Sequence, residues 1–310
     1  MVRKIYNALI ALIIFLLVWA NITEAQTSDR AYRIDTFSTS SSPEVYVTTS
    51  GGSVDVIGHS DDTVRIEMYV QRSGRYLDSS DTDLSDFDIT IRKDGDIIVA
   101  EAKQRSSGLG IIRAVRNISV SFKAYVPEYS LAEGRTSGGS VSAEGIYNDL
   151  KLITSGGSVS VTDIEGITEL RTSGGNINLE NVSGIISART SGGSINARGI
   201  YGEAELRTSG GSINLDEISA KISARTSGGG IRGKFFTFYD DIELTTSGGN
   251  IEIYLPETEH FTLNLRGQRV NTTLRNFSGE FERNRISGKI GEGGPVLSAR
   301  TSGGSVSLKY

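Results

Sequence analysis

Residues 172–189 read TSGGNINLENVSGIISAR, residues 190–207 TSGGSINARGIYGEAELR and residues 208–225 TSGGSINLDEISAKISAR. TSGG recurs at Thr49, Thr136, Thr154, Thr172, Thr190, Thr208, Thr226, Thr246 and Thr301, and every interval from 136 to 226 is 18 residues. A unit repeated this strictly is a structural module that buries its apolar face only by stacking on neighbouring copies. Counting the Thr as zero, apolar or small residues fall at offsets 5, 7, 10, 14 and 16, as in Ile177, Leu179, Val182, Ile186 and Ala188. The steps of two are strand alternation, with turns at SGG and near offset 12. Each copy is thus expected to hold two short strands, about offsets 4 to 8 and 13 to 17. Successive copies should pair at about 4.8 Å, with Gly-Gly supplying positive φ at the corner.

Side-chain volume follows the same period. Offset 16 runs Leu170, Ala188, Leu206, Ala224, and offset 7 runs Val161, Leu179, Ala197, Leu215. Compensation of this kind is expected of two positions facing each other across a thin core of constant density. A left-handed hexapeptide helix would need an apolar residue every six positions, whereas offsets 5, 11 and 17 are Ile177, Ser183 and Arg189. A calcium β-roll would need its glycine- and Asp-bearing nonapeptide in both halves of the copy, and only one half carries Gly-Gly. The fold class is therefore all-β, a β-solenoid of about 18-residue coils. By alternation, the Thr at offset zero points inward.

The segments AYVPEYSLAEGRTSGGSV (124–141) and TTSGGNIEIYLPE (245–257), with the TSGG series between them, resemble the bacterial putative-adhesin family of β-strand repeat proteins, a domain of unknown function. The resemblance spans about residues 40–310. It implies a right-handed β-solenoid (β-helix) on an exported protein and brings no catalytic residues with it.

The ends are less regular. DFDITIRKDGDIIVAEAK (86–103) alternates on both sides of Asp94-Gly95 and reads as a hairpin, so an irregular β cap is expected at the N-terminal end. TSGGSVSLKY stops halfway through a copy, which predicts that its last strand is an edge or a site for another chain. Residues 1–25 carry Arg3 and Lys4, an apolar run of thirteen residues from Ala8 to Ala20, and the small residues Thr23 and Ala25. That run is shorter than the roughly 20 residues a spanning helix needs. It reads as a signal peptide cleaved after Ala25. The expected organisation is 1–25 signal peptide, 26–135 irregular N-terminal coils and hairpin cap, 136–245 regular array and 246–310 degenerate C-terminal coils.

Composition narrows the function classes. The mature chain would hold 30 basic and 36 acidic residues, a net charge of −6, which argues against a nucleic-acid binder. With no Cys, disulfides, a thiol nucleophile and a lipidated Cys are all excluded. The two histidines, His59 and His260, are far apart in sequence and give little basis for zinc or a triad. Asp78, Asp81, Asp83, Asp86 and Asp88 in DSSDTDLSDFD could gather calcium but lack the turn glycine and terminal Glu of an EF-hand, and read as a solvated acidic loop. No cofactor or metal is expected.

Two outward columns remain as candidate binding residues. Arg171, Arg189, Arg207 and Arg225 at offset 17, with Arg135 in phase, suit an acidic polymer, although Glu169 and Glu205 at offset 15 would neutralise them in part. Asn178, Asn196 and Asn214 at offset 6, beside Ser158, Asn176, Ser194 and Ser212, form an amide and hydroxyl face suited to sugars, or side-chain ladders between copies. The reading is an exported, non-enzymatic, adhesin-like scaffold or binding module in the periplasm, on the outer surface or secreted. Its expected partner is an extended polysaccharide or another surface protein, and any membrane contact is confined to an uncleaved signal segment. The alternatives are a polysaccharide-active hydrolase or lyase and, through the Thr column, an ice-binding surface.

Overall fold

The computed structural model describes residues 31–80, 84–105, 118–257 and 259–310; the segment expected to be a signal peptide, Asp81 and Asp83 lie outside them. The described residues are all-β, with no helix, and their strands join a single hydrogen-bonded sheet. Its centre is a parallel stack in which Val141 pairs with Val159, Val159 with Ile177, Ile177 with Ile195 and Ile195 with Ile213. Residues at the same offset in successive copies are therefore direct neighbours. The five apolar offsets face inward: Ile177, Leu179, Val182, Ile186 and Ala188 are all buried.

The two-strand expectation holds in the outer copies and fails in the central ones. The copy at Thr136 has separate strands Val141–Ile146 and Leu150–Ile153, and that at Thr226 has Ile231–Phe235 and Ile242–Thr246. The four copies between them each form one thirteen-residue strand: Val159–Arg171, Ile177–Arg189, Ile195–Arg207 and Ile213–Arg225. The chain bends within each without losing its neighbours. At offset 9, Gly145, Asp163, Asn181, Gly199 and Glu217 have φ between 53° and 67° and at offset 12 Gly166, Gly184 and Gly202 have φ between 96° and 125°. Asp and Asn are among the few non-glycine residues that tolerate the left-handed region, whereas Glu217 has no such advantage.

The positive-φ corner is thus not at Gly-Gly, contrary to the sequence expectation. None of the SGG glycines has positive φ. The second glycine is required for a different reason. A Cβ on Gly193 would lie 2.0 Å from the carbonyl oxygen of Gly175, and one on Gly211 2.1 Å from that of Gly193. Backbone bonds hold this corner together, with Gly192 N–H donating to Ser173 O and Gly210 N–H to Ser191 O, both at 2.9 Å.

The Thr locks the same corner from inside. Thr172, Thr190, Thr208 and Thr226 are buried, and their hydroxyls donate to the carbonyls of Gly157, Gly175, Gly193 and Gly211 at 2.7–2.9 Å. Thr172 Oγ1 also accepts from Gly175 N–H of its own copy at 3.2 Å. A buried hydroxyl is satisfied on both counts, so it adds about 1 kcal/mol per copy instead of costing a desolvation penalty. Because this rank faces the core, it cannot order water, and the ice-binding alternative falls.

In the core, a Cβ on Gly134, which pairs with Leu152 in the offset-16 column, would meet Leu152 at 2.9 Å, Val141 at 3.0 Å and Val54 at 3.2 Å. At Gly134 the nearest facing wall is therefore Val141 and Val54 of column 5. The volume alternation is accommodated along the stack, where Ala188 lies between Leu170 and Leu206.

Both ends close with antiparallel strands. At the N-terminal end Phe87–Asp94 pairs antiparallel with Ile97–Gln104, with Gly95 at φ 60°, and Thr63–Arg72 crosses Ile118–Pro127 antiparallel. At the other end Arg285–Ile290 runs antiparallel to Phe261–Arg266. The last strand, Ser305–Lys309, is not an edge: it pairs with Ile251–Tyr254 on one side and Arg269–Asn271 on the other. Val296–Thr301 is likewise flanked by Ile242–Thr246 and Phe261–Arg266.

The two SGG glycines should respond very differently to substitution. Gly193→Ala forces backbone apart and should cost about 3 kcal/mol or more. Gly192→Ala, whose Cβ would meet Gly174 O at 3.4 Å, should stay within about 1 kcal/mol of the parent. Urea denaturation of both variants checks this; equal effects would remove close approach as the reason for the second glycine.

Candidate binding surface

The rigid register turns each outward offset into a column of side chains with fixed spacing. Offset 17 brings together all four predicted arginines, since Arg171 pairs with Arg189, Arg189 with Arg207 and Arg207 with Arg225. Guanidinium groups about 4.8 Å apart repel one another. The offset-15 glutamates, present in alternate copies, relieve this. Glu169 binds Arg171 at 2.7 Å and Lys151 at 2.8 Å, Glu205 binds Arg189 at 2.5 Å and also Arg207, and Glu243 binds Arg225 at 2.9 Å. Arg135 pairs with Glu133 in the same way. Hydrogen bonding from Lys151 holds the Glu169 carboxyl below the ordinary glutamate range, and bonding from Arg189 does the same for Glu205.

On the opposite strand segment the three asparagines form an amide ladder. Asn178 Nδ2 donates to Ser160 Oγ at 3.3 Å, Asn196 to Asn178 Oδ1 at 3.0 Å and Asn214 to Asn196 Oδ1 at 2.9 Å. The offset-4 side chains serve the turn: Ser158 Oγ accepts from Asn176 N–H, Asn176 Oδ1 from Ser194 N–H and Ser194 Oγ from Ser212 N–H. A shallow groove of about 500 Å³ follows the ladder, edged by Glu180, Arg198 and Asp216. Each amide spends one donor on its neighbour and retains a second.

The groups weighed for catalysis or metal binding are dispersed. His59 Nδ1 accepts from Asp61 N–H and His260 Nδ1 from Glu292 N–H, both at 3.0 Å, in the N- and C-terminal parts of the stack. Asp78 Oδ1 accepts from Ser80 N–H at 2.8 Å and Asp88 pairs with Arg105 at 2.5 Å. Among the described residues no group of three or more His, Cys, Asp or Glu is placed to hold a metal ion.

One surface escaped the sequence reading. Of the thirteen large apolar side chains exposed among the described residues, eight lie on the corner formed by offsets 11 and 13: Tyr129, Tyr147, Ile167, Ile185, Tyr201, Phe236, Tyr239 and Val296. Register places Ile167, Ile185 and Tyr201 in line, with Ile167 paired to Ile185, Ser183 to Tyr201 and Tyr201 to Ser219; the Phe236 N–H donates to Ile218 O, and Tyr239 follows in the segment between strands Ile231–Phe235 and Ile242–Thr246. Tyr129 and Tyr147 lie ring to ring with centroids 6.0 Å apart. The signal was hidden because no one residue type runs through every copy at these offsets.

The Arg–Glu ladder carries a pH signature. A carboxyl whose folded pKa is depressed contributes stability that is complete above its unfolded pKa and disappears as pH falls through the folded value. Wild-type protein should therefore lose urea resistance between about pH 5 and pH 3, and Glu169→Gln/Glu205→Gln should be weaker at neutral pH with a shallower acid loss. An acid limb identical in the two proteins would show that the ladder contributes nothing.

No curated protein matches the chain. Among solved structures it is similar to a putative cell adhesion protein from Clostridium sporogenes ATCC 15579, at 10% identity over 89% of this chain and 98% of that one, with a TM-score of 0.21. It is also similar to a putative adhesin from Bacteroides fragilis NCTC 9343, at 10% identity over 89% and 95% of the two chains, with a TM-score of 0.34. The Toastrack DUF4097 family model matches residues 14–309, nearly the whole length, and the chain belongs to that family.

Proposed function

We propose that this chain is an exported, non-enzymatic, adhesin-like binding module that holds extended surface polymers along the side of a right-handed β-solenoid with coils of about eighteen residues. One observation carries the reading. The inward and turn positions of each regular copy are committed to holding the stack, as the Thr–Gly bonds and the Gly193–Gly175 approach illustrate. Variation is left to outward columns that recur once per copy. Such a surface presents many similar weak sites in a line, and a ligand gains from it only by being long and repetitive.

The arginine and asparagine columns remain the candidates named from sequence. The arginines are already paired with glutamates, Arg189 and Arg207 sharing Glu205, so an acidic polymer would compete with internal partners. The asparagines keep an outward donor for a neutral glycan. Among the described residues no helix is long and apolar enough to cross a membrane. Presentation at the surface, like the adhesion named for the two solved structures, enters here as part of the proposal.

Two measurements test it. Against polysaccharides graded by length, affinity should rise steeply with chain length. Arg171→Gln, Arg189→Gln, Arg207→Gln and Arg225→Gln together should weaken acidic polymers, and Asn178→Lys, Asn196→Lys and Asn214→Lys neutral ones. Full affinity for a single small sugar, or cleavage of the polymer, would overturn the reading. Intact-mass analysis of the exported protein should find Gln26 at the N-terminus; retention of Met1 to Ala25 would make the segment an anchor.

A further inference from the structure

We infer that the offset 11 and 13 corner is a linear binding track for an extended glycan without acid groups, stacked on Tyr147, Tyr201, Phe236 and Tyr239. The inference rests on the polymer-binding reading above and assigns it a face and a ligand class. From the copy that holds Tyr147 to the one that holds Val296, the corner extends about 30 Å at strand spacing. Tyr201, Phe236 and Tyr239 are 52%, 72% and 83% exposed, and Ile167 and Ile185 are 53% and 60% exposed. Surface apolar residues are ordinarily scattered singly; gathered on one corner they mark an interaction site.

The shape of the track selects the occupant. A folded protein partner needs a broad patch of about 800 Å² on each side, centred on clustered anchors. Here the apolar residues form a line two positions wide, interrupted by Glu165, Glu203 and Lys221. A polymer chain fits such a line. The apolar C–H face of a sugar ring can lie on an aromatic ring, as other apolar groups do, while its hydroxyls reach the carboxylates beside it. Ile185, Glu203, Lys221 and Val296 also edge a shallow groove of about 620 Å³ next to the track, which gives the chain a wall to follow.

Charge then excludes acidic polymers and anionic bilayers. Asp149, Glu165, Glu203, Asp240 and Asp241 line the corner, and its cation Lys221 is paired with Glu203 at 3.0 Å. An anionic chain would be repelled along the whole line. This is the opposite preference to that of the arginine column, so the two faces can be told apart by the sign of the ligand.

The test is calorimetric titration of the full chain with cellohexaose and chitohexaose, with polygalacturonate as the acidic control. Tyr147→Ser/Tyr201→Ser/Phe236→Ser/Tyr239→Ser should weaken the neutral hexaoses at least about tenfold without changing the melting temperature. The matching four-fold Trp variant keeps the rings and should retain binding. Unchanged neutral-glycan affinity in the Ser variant overturns the track and leaves the polymer-binding reading in place. So does binding of polygalacturonate alone. Failure to bind all three probes overturns both the track and that reading.

Discussion

The structure depends on one contact: the close approach of the second SGG glycine to the carbonyl of its counterpart in the preceding copy, clasped from inside by the Thr hydroxyl. Gly193 is so near Gly175 O that no side chain fits, and Thr190 Oγ1 donates to that same oxygen at 2.9 Å. The carbonyl is pinned by a bond on its inner side and by backbone on its axial side. Thr is suited to this place because its hydroxyl reaches the glycine while its β-branched side chain packs in the core. The motif repeats because every copy must reproduce the contact to keep the next in register.

A register held this rigidly imposes a cost on the surface, since every outward residue stands about 4.8 Å from its counterpart. Like charges in a column repel, and the chain answers with a period of two copies: Glu169, Ser187, Glu205, Ser223, Glu243 beside Arg171, Arg189, Arg207 and Arg225. Glu169 and Glu205 thereby each serve two cations, and Glu243 serves Arg225. These pairs are half-exposed, so each contributes at most about 1 kcal/mol. Their effect is to make the column compatible with the stack rather than to drive it. The amide ladder solves the same problem without charge, because an amide is both donor and acceptor and so bonds to a copy of itself.

Much of this was legible in the sequence because a strict repeat reports side-chain direction copy after copy. The buried offsets, the inward Thr and the outward Arg and Asn columns follow from alternation alone. The role of Gly-Gly did not, because glycine serves two purposes, positive φ and close approach, and the letters do not distinguish them. Here the first is met at offsets 9 and 12, partly by Asp163, Asn181 and Glu217. The aromatic corner was equally hidden: Tyr201, Ile185 and Phe236 occupy two different offsets, and the copy at Thr226 reaches them through a 20-residue interval that breaks the count.

The C-terminal strands show where a repeat stops being a guide. Residues 296–310 look like a half copy left over at the end, yet they lie inside the stack, between 242–254 and 261–271, and bond to both. Segment 261–271 precedes them in the chain but lies beyond them in space, which no local pattern can announce. The arrangement has a physical logic. A parallel ladder that simply ended would leave an open template for further strands. By doubling back, the chain completes its last regular layer with residues 296–309 and covers it with a segment that turns antiparallel, through Arg285–Ile290. Antiparallel strands also close the N-terminal end. The periodic faces are therefore finite in length because the chain itself supplies strands that the repeat geometry cannot continue.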